Sequence, residues 1–93
     1  MKSLKPMTKD QLTELLVILM EECSEVSVEA SKIIRFGPSR RNTENLKKEV
    51  CDLYALLGLI EHYGIIDLNG DEKEALVLAK IEKLKHYTET GFL

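Results

Sequence analysis

No apolar run in this chain exceeds the six residues Leu15 to Met20. A bilayer span needs about 20 such residues, so no transmembrane helix is expected. No charged-then-apolar leader opens the chain, and the expected location is cytoplasmic. A long basic stripe is also missing. With 13 Lys+Arg against 16 Asp+Glu the net charge is −3, which argues against a polymeric nucleic-acid partner. Cys23 and Cys51 stand alone without metal-type spacing, and isolated cysteines of this kind are more often buried small hydrophobes than ligands or a disulfide. His62 and His86 have no partner at zinc spacing and read as surface or helix-end residues. Ser24 and the two cysteines lack a neighbouring base, so nucleophilic catalysis has little support. There is no strand signal, repeat or low-complexity segment.

Glycine and proline are scarce where they would interrupt helices. From Thr8, a candidate N-cap with Asp10 and Gln11 in its first turn, neither occurs until Gly37-Pro38. A first helix is expected from Thr8 to Arg35, about 40 Å long at 1.5 Å per residue. Leu12, Leu15, Leu16, Leu19, Cys23, Val26, Ala30, Ile33 and Ile34 form its expected core stripe, with Ile18, Glu22, Glu25 and Glu29 beside it. The Phe36-Gly37-Pro38-Ser39-Arg40-Arg41-Asn42 stretch reads as a break. A second helix capped by Asn42 or Thr43 then runs to Tyr63 and is closed by Gly64. On it Leu46, Val50, Leu53, Leu57 and Ile60 face a core, while Glu49 and Asp52 share a flank with Leu56 and Leu59. Asp67 to Asp71 reads as a turn. A third helix follows from Asp71 to Thr88 with Leu76, Ala79, Ile81 and Leu84 inward, and Gly91-Phe92-Leu93 is a tail.

The expected architecture is all-α: residues 1–93 form a single helical domain, its motif-bearing core at residues 8–64 and its third helix at 71–88. A domain this small buries little over about 60% of its unfolded surface. Leu16, Val17 and Met20 extend beyond the main stripe, so a helical bundle completed by homo-oligomerisation is expected, as a homodimer or a dimer of dimers.

What is abundant is acid, in two clusters: Glu21-Glu22-Cys23-Ser24-Glu25 and Glu49-Val50-Cys51-Asp52. Carboxylates three residues apart on a helix lie about 60° apart and one turn up, so they can converge. Next to a core they repel one another and lose solvation, which a hard divalent cation relieves. Glu22 and Glu25 opposite Glu49 and Asp52 supply the all-oxygen shell that Mg²⁺ or Mn²⁺ prefers. Glu21, about 100° from Glu22, addresses a second ion, positions water, or lies outside the site. Such a cation neutralises a polyphosphate and acidifies a bound water, the requirements of phosphoanhydride hydrolysis. The chain's arginines, Arg35, Arg40 and Arg41, all fall at or just after the end of the first helix, and Lys47 and Lys48 precede Glu49. Lys32, Arg40, Arg41 and Lys48 are the candidate phosphate ligands. Lys32 has a competing role as ion-pair partner of Glu29. Phe36 and Tyr54 are the candidate base-stacking residues, although Tyr54 and Tyr63, at helical positions, are more often core.

The E-E-x-x-E of Glu21 to Glu25, followed after residues 26–48 by the E-x-x-D of Glu49 to Asp52, resembles the signature of the MazG-like all-α nucleoside triphosphate pyrophosphohydrolases. That superfamily also holds dimeric dUTPases and phosphoribosyl-ATP pyrophosphatase. The likeness covers about Leu15 to Gly64, including the basic Phe-Gly loop. It implies Mg²⁺-dependent hydrolysis of a nucleotide between the α and β phosphates, with Glu22, Glu25, Glu49 and Asp52 as metal ligands. This chain has no Trp to stack a base, and no residue names a particular nucleobase. The alternatives are a phosphoribosyl-ATP pyrophosphatase and a non-catalytic interaction or regulatory module of the same fold.

Overall fold

The computed structural model describes residues 6–93 and is all-α. Its helices are α1 (Lys9–Phe36), α2 (Arg40–His62) and α3 (Gly70–Tyr87). α1 begins at the N-cap expected from its sequence, Thr8, which forms a capping box with Gln11. The Thr8 hydroxyl accepts the Gln11 N–H at 3.1 Å, and the Gln11 side chain accepts the Thr8 N–H at 2.9 Å. Two N–H groups that the helix leaves open are thereby satisfied. Within the helix, Thr13, Ser24 and Ser27 each donate to the carbonyl four residues earlier, Ser24 to Met20. Their hydroxyls are engaged locally, in keeping with a helix that tolerates them.

Gly37, at φ 89°, ends α1, and its N–H reaches the Ile33 carbonyl at 2.8 Å. Ser39 then caps α2 by accepting the Asn42 N–H at 3.2 Å. This corrects the expected cap at Asn42 or Thr43: α2 starts at Arg40, and the two arginines lie in its first turn. Asn42 has a different task, donating its amide to the Gly37 carbonyl at 3.1 Å and bracing the connection. The link between the helices is therefore only residues 37–39, which returns α2 antiparallel along α1.

The two helices meet along a seam that differs from the expected stripe. Leu12, Leu15, Leu19, Val26, Ala30 and Ile33 are buried or half-buried, but Leu16, Cys23 and Ile34 are exposed. Their places are taken by Glu22, half-buried, and Glu29, only 8% exposed. Leu15, Leu19, Glu22, Val26, Glu29 and Ile33 follow alternating steps of four and three, the spacing of a packed helix pair. On α2, Leu46, Glu49, Leu53, Leu56 and Ile60 do the same. Carboxylates thus interrupt the seam from both sides. Cys51 is exposed as well, so neither cysteine is the buried hydrophobe expected. Leu15 and Ile60 are the buried apolar residues; at roughly 1.5–3 kcal/mol apiece they make a thin core.

α2 closes as expected at Gly64, φ 72°. Gly64 N–H bonds the Glu61 carbonyl at 2.9 Å and Ile65 N–H bonds the Ile60 carbonyl at 3.1 Å. That pair of bonds is a Schellman ending, which needs a left-handed residue at this point. The connection to α3 is held by the Glu61 carboxylate, which accepts the Leu68 N–H at 3.1 Å, and by an Asx turn from Asp67 to the Asn69 N–H at 2.9 Å. α3 contains no buried residue. Among the described residues it packs against neither α1 nor α2, so the expected inward face is not inward in the single chain. Leu76 is 65% exposed, Ala79 and Ile81 are exposed, and Leu84 is half-buried. Among the described residues, no helix is long and apolar enough to cross a membrane.

Candidate metal centre

Glu22 comes from the middle of α1, while Glu49 and Asp52 come from one turn of α2. Because both Glu22 and Glu49 occupy seam positions, packing the helices brings their carboxylates together. Asp52, one turn after Glu49, leans in from the same flank. One ligand oxygen from each of Glu22, Glu49 and Asp52 lies within 4.8 Å of the others. Glu22 Oε2 is buried and receives no hydrogen bond. Burial raises the pKa of Glu22, and the neighbouring charges of Asp52, Glu49 and Glu25 raise it further. All three residues are half-buried.

Among the described residues, the cluster has one cation of its own. Lys48 Nζ donates to Asp52 Oδ2 at 3.1 Å and stands 3.6 Å from Glu49 Oε1. The hydrogen bond to Asp52, followed by the charges of Asp52 and Glu49, raises the Lys48 pKa. Its side chain remains 70% exposed, so the ammonium stands at the rim of the cluster and is free to leave it. The sequence offered Lys48 only as a phosphate ligand. Its i, i+4 spacing to Asp52 was the available signal for the second role.

The remaining candidates are distributed around this centre. Glu25 is exposed and falls outside the 4.8 Å group, though near enough to act on the Glu22 pKa. Glu21 is exposed and also outside it. Lys32 is tied to Glu29 Oε1 at 3.0 Å, the ion pair expected of these two residues. Glu29 Oε2 is buried without a partner. This seam carboxylate was missed as a buried group, although its seven-residue spacing from Glu22 marks the same face. Arg40 and Arg41 are exposed at the N-terminus of α2, more than two turns before Glu49. Phe36 is exposed with the Arg35 guanidinium 5.0 Å from its ring centre. Tyr54 is 70% exposed and Tyr63 is exposed too, so neither is core. Two residues beyond Asp52, Tyr54 points about 200° around α2 from it and cannot serve a base at the carboxylates of its own chain. His62 ends α2 with its ring edge-on to Tyr63, centroids 5.5 Å apart, and His86 is exposed in the last turn of α3.

The donor set consists of carboxylate oxygens alone, half-buried, mutually close and only partly neutralised by Lys48. Hard divalent cations such as Mg²⁺ and Mn²⁺ prefer that set over softer metals. Comparison of the chain with models of known families, with curated proteins and with solved structures finds no match.

Proposed function

We propose that this chain is a Mg²⁺-dependent nucleotide pyrophosphohydrolase, cleaving a nucleoside triphosphate between its α and β phosphates to a monophosphate and pyrophosphate, with Mn²⁺ as an alternative ion. The observation that carries the proposal is the convergence of Glu22, Glu49 and Asp52 within 4.8 Å, with Glu22 Oε2 buried and unpartnered. An orphaned buried carboxylate oxygen among like charges is costly unless a cation meets it. Mg²⁺ bound there would supply neutralisation of the polyphosphate and an acidified water.

The chain's own groups supply the rest. Glu22, Glu49 and Asp52 would hold the ion. Glu25, one turn from Glu22 and facing solvent, is placed to orient the attacking water or take its proton. Lys48, exposed at the rim of the cluster, is placed to pair with phosphate oxygens in place of Asp52 and Glu49. Arg40 and Arg41 add charge for the phosphates farther from the centre. Lys32 serves the phosphates only on leaving Glu29. The exposed ring of Phe36 is available to a base, whereas Tyr54 would have to come from another copy of the chain. Assembly as a homodimer or dimer of dimers, with Leu16, Val17 and Met20 meeting another copy, belongs to the same proposal.

Two observations favour a second function, that of a metal-free helical interaction module: Lys48 already offsets part of the acid, and much apolar surface is open. Pyrophosphate release from a panel of nucleoside triphosphates and phosphoribosyl-ATP, with and without Mg²⁺, separates the two. Mg²⁺-dependent release supports the enzyme, and the preferred compound decides between the general activity and a phosphoribosyl-ATP pyrophosphatase. Absence of release across the panel, with no thermal response to Mg²⁺, leaves the interaction module.

A further inference from the structure

Among the described residues α3 has no partner element, and its middle is apolar. Ala75, Leu76, Val77, Leu78 and Ala79 are consecutive, so apolar surface encircles the middle of the helix between charged ends; such a girdle is stable when another surface covers it. Leu76, Val77, Leu78, Ile81 and Tyr87 are all exposed. An 18-residue helix in water gains its stability chiefly from packing, since isolated helices near that length are marginal.

Beside α3 lies an open seat of similar character. Val50, Leu53, Tyr54 and Leu57 of α2 and Val77 of α3 line a cavity of about 650 Å³. The Glu61 carboxylate, holding the Leu68 N–H, fixes the connection that keeps this groove apart. The area of the whole chain indicates how much cover is missing. A folded monomer of 10.6 kDa exposes about 5,500 Å², yet this chain exposes 7865 Å². Its radius of gyration is 16.5 Å, against about 12 Å for a compact domain of this length. Residues 1–5, counted at the full area of unfolded chain, account for at most about 850 Å² of the excess. About 1,500 Å² per chain remains, so two chains would bury about 3,000 Å², within the range of obligate homodimers.

We infer that the groove between α2 and α3 is a self-association surface whose occupant is α3 of a second copy. A two-fold axis makes the arrangement reciprocal: each copy seats its α3 in the other's groove, and four apolar helix faces close on one another. The charges along α3 are of both signs, Asp71, Glu72, Glu74 and Glu82 among Lys73, Lys80, Lys83 and Lys85. They suit a protein rim rather than an anionic membrane, which calls for a basic face. This surface is distinct from the Leu16, Val17 and Met20 face of α1, and the inference does not depend on the enzymatic activity.

The test combines light scattering with amide hydrogen exchange on the full chain. Twice the 10.6 kDa chain mass, or four times it if the α1 face pairs as well, with α3 amides protected, supports the inference. Val77→Asp should reduce the mass by half and release α3 to fast exchange while α1 and α2 stay protected, and Val77→Leu should keep the wild-type mass. A single-chain mass for wild type at micromolar concentration overturns the inference, whatever the exchange of α3. So does a dimer whose α3 exchanges freely, or a Val77→Asp protein that remains associated with α3 protected.

Discussion

Replacing Asp52 by Asn tests the metal centre with the least change of shape. In the metal-free protein the substitution has two opposed effects. It removes one charge from a trio whose oxygens lie within 4.8 Å, relieving repulsion, and it removes the negative charge that faces Lys48 at 3.1 Å, losing an exposed ion pair. Both are weakened by solvent, since Asp52 is 43% exposed at its side chain. The metal-free variant should therefore melt within about 3 °C of wild type, given about 4–8 °C per kcal/mol for a domain of this size. With Mg²⁺ the two proteins should separate. At an ion concentration 100 times its Kd, wild type gains about 2.7 kcal/mol, or about 10 °C or more. If Asn weakens the ion a hundredfold, the same concentration equals the variant's Kd and the gain falls to about 0.4 kcal/mol, about 2–3 °C. Differential scanning calorimetry with and without Mg²⁺, alongside pyrophosphate release, measures both. Equal Mg²⁺ shifts and equal turnover in the two proteins would refute the assignment of Asp52 to the ion.

Three further outcomes are expected. Arg40 and Arg41 stand at the positive end of the α2 dipole, where no acidic residue of the first turn offsets them. Changing both to Ala should leave the melting temperature unchanged or slightly raised while raising KM; a marked loss of stability with unaltered KM would assign them to folding. Because the folded-state pKa of Glu22 is raised above 4.5, the folded protein keeps a proton that the unfolded chain gives up. Stability should fall as pH rises from 4.5 through that raised value. Without divalent ions, Glu22→Gln should gain on wild type over that window and match it below pH 4.5; urea melts across pH 4–8 that show a constant difference would contradict this. Gly64→Ala forces a side chain into φ 72° and should cost about 1–2 kcal/mol in denaturant unfolding, with Mg²⁺-dependent turnover retained under folding conditions.

Local signals were legible in the sequence, and signals that depend on a partner element were not. Thr8 with Gln11 and Gly64 are short-range devices whose hydrogen bonds close within a few residues, so they announce their helix ends without any tertiary context. Ser39 was hidden because the turn it caps carries Arg40 and Arg41 where an acidic residue would mark a helix start, and the basic pair reads as loop. The α1 stripe was misassigned for a related reason: hydrophobic periodicity favours Leu16, Cys23 and Ile34 for the interior and sends glutamates to solvent. The seam instead holds Glu22 and Glu29. The convergence of Glu22 with Glu49 and Asp52 was legible as paired i, i+3 spacing, whereas the outward turn of Glu25 depends on how α1 is rotated against α2. For α3, the pattern correctly marks apolar surface, but no pattern within one chain can say what covers it.

The link of residues 37–39 acts as a ruler for the chemistry. Sliding α1 along α2 by one helical turn moves a side chain about 5.4 Å, more than the 4.8 Å that encloses the three carboxylates. Nothing in an alternating seam of leucines and acids forbids such a slide by itself, since a heptad shift would set Glu29 where Glu22 now stands. What forbids it is the shortness of the bend, pinned by Ser39 at one end and by Asn42 reaching back to Gly37 at the other. Lengthening this bend would therefore leave both helices intact and still disperse the carboxylates, placing the geometric tolerance of the centre in a segment that contributes no atom to it.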